Sequence, residues 1–184
     1  TELIGSNACT TVMVSWYIPT RSLTGAWAYQ TEMMTRWREE IEKKVTDGRE
    51  LDHDEQRTLA VLEEAGVDPK VLLLRDVEWE IRKLKPEFVI IGGDANTTPP
   101  ELAVARSSKV VKAEDVQDTE RMAEFAERLG LAEPYRWLGH EEIPKTWKGR
   151  GQRSNEWSWI DYWLVSKNLL QRGIVRGCGA MRDF

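Results

Sequence analysis

Histidine and cysteine are scarce, with two of each in 184 residues. Structural zinc sites draw their ligands chiefly from these two types at short paired spacings. Here Cys9 and Cys178 stand near opposite ends, and His53 and His140 lie far apart in charged surroundings that read as surface. The cysteines read as two reduced thiols of an intracellular protein, with a single disulfide as the alternative. Long apolar runs are missing as well, and stretches of a few residues cannot cross a bilayer. No charged-then-apolar leader opens the sequence, so secretion is not expected. A basic surplus is also absent. With 26 Lys and Arg against 31 Asp and Glu, the net charge of −5 excludes coating of nucleic acid by bulk electrostatics, though a local basic patch stays open.

What is present is an ordinary globular composition, 41% hydrophobic and 31% charged, in a length that suits one domain with a sizeable core. Nine tryptophans are many, and several fall together near the end. The chain opens on Thr1 rather than methionine, which reads as processing or as a piece of something longer.

"CTTVMVSWYIP" (9–19) is β-branched and aromatic and closes on Pro19, which predicts a strand. Over 26–45, Tyr29, Met33, Trp37, Ile41 and Val45 recur at four-residue steps beside Met34, predicting an amphipathic helix. A second helix is expected over 52–66, capped by Asp52 or Asp54 and ended by Gly66. A third, 69–84, carries Leu73, Leu74, Val77, Ile81 and Leu84. A strand over 87–92 follows, then a loop over 97–117 with a short ordered piece at 109–112. A helix over 117–130 turns Met122, Phe125, Ala126 and Leu129 inward. Residues 145–166 read as two strands joined by a polar turn, with Ile160, Tyr162, Leu164 and Ser166 alternating against Asp161, Trp163 and Val165. Interleaved strands and helices with a late hairpin imply an α/β fold on a mixed sheet.

Polar groups at the C-terminal end of a buried strand are held by the sheet yet reach a crevice. In "VIIGGDANTTPP" (89–100), Gly92-Gly93 permits a tight turn and close approach, and Asp94 and Asn96 follow. The plainer alternative is an Asx turn. Asp161 stands in the apolar, aromatic strand "WIDYWLVS", where a carboxylate is costly unless paired. Tyr17 ends the first strand.

"WYIPTR" (16–21), "IIGGDANTTP" (90–99) and "TW…SWIDYWLVS" (146–166), in that order, resemble the endonuclease/exonuclease/phosphatase superfamily. The nearest likeness is to exonuclease III-like abasic-site nucleases and the endonuclease domains of non-LTR retrotransposons. Gly93-Asp94-Ala95-Asn96 stands where that family has Gly-Asp-Phe-Asn. The resemblance implies a four-layer α/β sandwich of two facing sheets with helices outside, a catalytic Mg2+ and DNA as partner. It implies that Asp94 orients the attacking water, and that Asn96 holds a phosphate oxygen or assists the metal. Tyr17 would contact the scissile phosphate, and Asp161 would orient a histidine on the leaving side. These types suit in-line attack on a phosphodiester.

The resemblance also implies a metal-binding asparagine and glutamate ahead of the tyrosine and a closing Ser-Asp-His. Sixteen residues precede Tyr17, with Glu2 and Asn7 among them, and the chain stops at "AMRDF", with Asp183 near the expected aspartate. The expectation is therefore one domain over 1–184, incomplete at both ends, with a helical insertion over 46–69. Lys145, Lys148, Arg150 and Arg153 lie in the late turn with Trp147, Trp157 and Trp159 around it, a composition suited to phosphate contacts and base stacking. A solvated turn over core tryptophans is the alternative. The expected function is a degenerate or truncated metal-dependent DNA endonuclease of low activity. The alternative is a structural subunit whose protein partners form a larger assembly.

Overall fold

The computed structural model describes residues 10–18, 26–66, 68–100, 113–142, 144, 146–148 and 157–179. The chain forms two compact units, one of Thr1–Tyr17 with Ile81–Phe184 and the other of Ile18–Glu80.

The Ile18–Glu80 unit is helical. Helix α1 spans Ala26–Thr46, α2 spans His53–Ala65, and α3 begins at Pro69 and runs to Leu84. Residues 46–69, expected as an insertion, thus contribute α2. Asp52 caps α2 reciprocally with Glu55: Glu55 N–H donates to Asp52 Oδ1 at 2.8 Å and Asp52 N–H to Glu55 Oε2 at 3.1 Å. A salt bridge and hydrogen bond from Lys44, then the Asp52 amide, hold the Glu55 carboxyl below its ordinary range. The stripe expected on α1 is only partly buried. Met34 and Ile41 are inside, while Tyr29, Trp37 and Val45 remain exposed.

The other unit is built on a mixed four-stranded sheet whose spatial order is Thr11–Tyr17, Phe88–Asp94, Asp161–Ser166 and Leu131–Ala132. Strands β1 (Thr11–Tyr17) and β2 (Phe88–Asp94) run parallel. Strand β6 (Asp161–Ser166) lies antiparallel to β2 and to the two-residue β3 (Leu131–Ala132). A short ribbon pairs β4 (Trp147–Lys148) with β5 (Trp157–Ser158). The α/β class is as expected; the second facing sheet of a four-layer sandwich is not formed by the described residues.

Register partners share a face, because side chains alternate along a strand. Val12, Val14 and Trp16, with Val89 and Ile91 and with Tyr162 and Leu164, therefore point one way. This face carries helix α4 (Ala113–Arg128), whose Met122, Phe125 and Ala126 are buried as expected. The Trp16 and Phe125 ring centroids are 6.0 Å apart. Ser166 fastens the far end. Its hydroxyl accepts from Val89 N–H at 2.7 Å and donates to Val89 O at 3.3 Å.

The opposite face is closed at one end only. There Val165 and Ile90 pack with Ala132, Val175 and Leu170, the last from the short helix α6 (Lys167–Gln171). On the edge strand Met13, in the row of Ile90 and Val165, is 71% exposed. At the other end Tyr17 is 65% and Trp163 47% exposed, with Asp161 exposed beside them. Asp161 thereby departs from expectation. It escapes desolvation by lying on the open face, without the buried pairing expected of a carboxylate in an apolar strand.

Candidate functional site

Three of the four predicted site residues form one row across the sheet. Tyr17 is the last residue of β1, Asp94 the last of β2 and Asp161 the first of β6. Tyr17 pairs in register with Asp94, and Asp94 with Asp161. Neighbouring strands lie about 4.8 Å apart, so the two carboxylates and the phenol emerge side by side on the open face. Residues separated by 144 positions in the chain meet because three strands end at one sheet edge.

The backbone that delivers this row depends on two glycines. Gly93 has φ of 138°, a conformation few side chains tolerate, and a Cβ there would run into Trp16 O of the paired strand. Gly92 lies beneath the six-membered ring of Trp163, at the place a Cβ would occupy. Strand β2 therefore runs two residues further than expected and carries Asp94 inside the ladder.

Asn96 lies just past the strand. Its N–H donates to Asp94 Oδ1 at 2.9 Å, and its own φ is 47°. The Asx turn weighed as the plain alternative is thus present, and it ties Asn96 to the row. Buried Ala95 donates its N–H to Ile160 O at 2.9 Å. Beyond it, Thr97 Oγ1 and Thr98 Oγ1 each lie 3.3 Å from Thr119 Oγ1 of α4, all three side chains being buried. The segment that carries Asn96 is pinned to the helix by hydroxyls.

One supporting residue carried no individual signal in the sequence. Thr146 Oγ1 accepts from Ile160 N–H at 3.0 Å and from Asp161 N–H at 3.1 Å. It anchors the foot of β4 at the start of β6. Trp159 adds a second hold, its indole N–H donating to Asp161 O at 3.0 Å.

Other predicted residues fall elsewhere. Trp147 and Lys148 are strand residues of β4, but Arg150, Arg153, Asp183, Glu2 and Asn7 lie outside the described residues, as does the 109–112 piece. His53 and His140 are exposed; His140 stacks on Tyr135 with centroids 4.3 Å apart. Cys178 is a free thiol whose pKa is raised, first by burial and then by the Glu133 carboxylate.

Among the described residues no group of three or more His, Cys, Asp or Glu could hold a metal ion. The oxygen donors that a hydrated magnesium would meet at this edge are the Asp94 and Asp161 carboxylates, whose strand positions pair in register. No described helix is long and apolar enough to cross a membrane. Comparison with protein-family models, with curated proteins and with solved structures finds no match to the chain.

Proposed function

We propose that the Tyr17–Asp94–Asp161 row with Asn96 is half of a metal-dependent phosphodiesterase centre of the endonuclease/exonuclease/phosphatase type. It engages a DNA phosphodiester weakly and turns it over little. The register of the three strand ends is the observation that carries this reading. Asp94, held by the Asx turn, orients a water toward phosphorus. Asn96 and the exposed Tyr17 hydroxyl donate toward phosphate oxygens, where negative charge develops. Asp161 supplies a second anionic oxygen beside Asp94. A bound Mg2+ would neutralise this pair and polarise the phosphate. With no third carboxylate or imidazole ligand among the described residues, the cation would be held loosely.

Titration with Mn2+ tests the site. The chain is expected to bind it with a Kd on the order of 1 mM, and Asp94→Asn or Asp161→Asn should each abolish saturation. Retained saturation in both variants would refute the site.

The basic turn supplies DNA contacts in this reading. Replacing Arg150 and Arg153 together by alanine should weaken DNA binding and lower the slope of log affinity against log salt by about 2, one for each lost phosphate contact. An unchanged slope removes the turn from the binding surface. The exposed Met13, Tyr17 and Trp163 favour a second reading, a structural subunit that packs this face on a partner protein.

A further inference from the structure

Trp163 belongs to no part of the centre as described, yet its placement is unusual. It follows Asp161 by two residues on the same face, roughly 7 Å along the strand. It pairs with Gly92, which in turn pairs with Ser15. The row next to Tyr17–Asp94–Asp161 is thus Ser15–Gly92–Trp163, a hydroxymethyl, a hydrogen and an indole. Because Gly92 has no side chain, the indole ring is laid across the strand, with Cε3, Cδ2 and Cζ3 all over the glycine. The residue keeps 47% of its surface in solvent. Tyr17 and Met13, 65% and 71% exposed, flank this step on β1.

We propose that Trp163 is a stacking platform for one unpaired nucleobase of a single-stranded nucleic acid whose phosphate lies at the Tyr17–Asp94–Asp161 row. This rests on the phosphodiesterase reading of that row. A planar ring supported by backbone and open above is what base stacking requires, and stacking is uncharged, so it tolerates the neighbouring carboxylates. A paired base has both faces covered by its neighbours, so the platform selects single-stranded or extruded nucleotides. The small Ser15 and Gly92 leave height for the base beside the ring.

The test is fluorescence anisotropy of a short labelled oligothymidylate with the whole chain in Mn2+. Trp163→Ala should weaken binding about tenfold, as loss of one stacked base does, and Trp163→Phe should restore most of it. The salt slope should be the same for all three proteins, because no phosphate contact changes. Equal affinity for the native chain and Trp163→Ala overturns the proposal, as does no binding by the native chain or a changed salt slope. Mn2+ saturation dependent on Asp94 is scored separately. If it persists when the stacking result fails, the row stands and the platform falls. Loss of capture of a purified partner protein in Trp163→Ala, without any oligonucleotide effect, would assign the surface to protein and overturn the proposal.

Discussion

Gly93→Ala is expected to lose about 3 kcal/mol or more of folding stability. A non-glycine residue forced into a sparsely populated backbone region costs about 1–3 kcal/mol, and φ at Gly93 is 138°. The added Cβ would also meet Trp16 O, with Trp16 Cδ1 at 3.0 Å. That oxygen belongs to the backbone of the paired strand and cannot swing aside without breaking the β1–β2 register. Against a total of about 5–15 kcal/mol for an ordinary domain, such a loss is large. Gly92→Ala makes a useful contrast. Its obstacle is the half-exposed Trp163 indole, a side chain that can rotate away. Its penalty should be smaller and should shrink further in the Trp163→Ala background, since the two residues touch. Urea denaturation of the native chain and these four variants measures this. A Gly93→Ala cost under about 1 kcal/mol, or no coupling between Gly92 and Trp163, would contradict the described strand end.

The purified chain, supplied with Mg2+ or Mn2+, is expected to nick supercoiled or abasic-site DNA at close to the background rate. Efficient cleavage needs a tightly held cation, a carboxylate for the water and an acid for the leaving oxygen. The described residues provide a good candidate for the second alone. A general acid–base group contributes about a hundred- to ten-thousand-fold, and a well-held metal ion several kcal/mol more. His53 and His140 are exposed, and His140 stacks on Tyr135. Robust metal-dependent nicking that disappears in Asp94→Ala would show a complete and working centre.

The long elements were legible because each has one dominant periodicity. The helix expected over 69–84 forms over those residues, and of the two caps expected for α2, Asp52 and Asp54, it is Asp52 that forms. Alternation in "DYWLVS" separates buried Tyr162, Leu164 and Ser166 from exposed Asp161 and Trp163, while Val165 is buried on the opposite face. Strand β3 and helices α5 (Pro134–Trp137) and α6 are too short to leave a period, so they were missed. The late hairpin was read as two strands, whereas the chain makes a separate two-residue ribbon before β6. Burial failed where apolar residues lack cover. Periodicity marked Tyr29, Trp37 and Val45 as inward, but it reports a face and not whether anything packs on it. For the site, motif order points to Tyr17, Asp94 and Asp161, and strand register sets them side by side. Thr146 and Trp163 acquire meaning only through pairing across strands, which no local pattern encodes.

The central claim is that two carboxylates at adjacent strand ends share one cation. Paramagnetic broadening by Mn2+ in an amide NMR spectrum of the whole chain tests it most directly. Substoichiometric Mn2+ should first erase the amides of Asp94, Ala95 and Asn96 together with those of Asp161 and Tyr17, and Asp94→Asn should leave all of these sharp. Broadening centred on other acidic residues, or broadening at Asp94 that leaves Asp161 and Tyr17 sharp, would contradict a shared site.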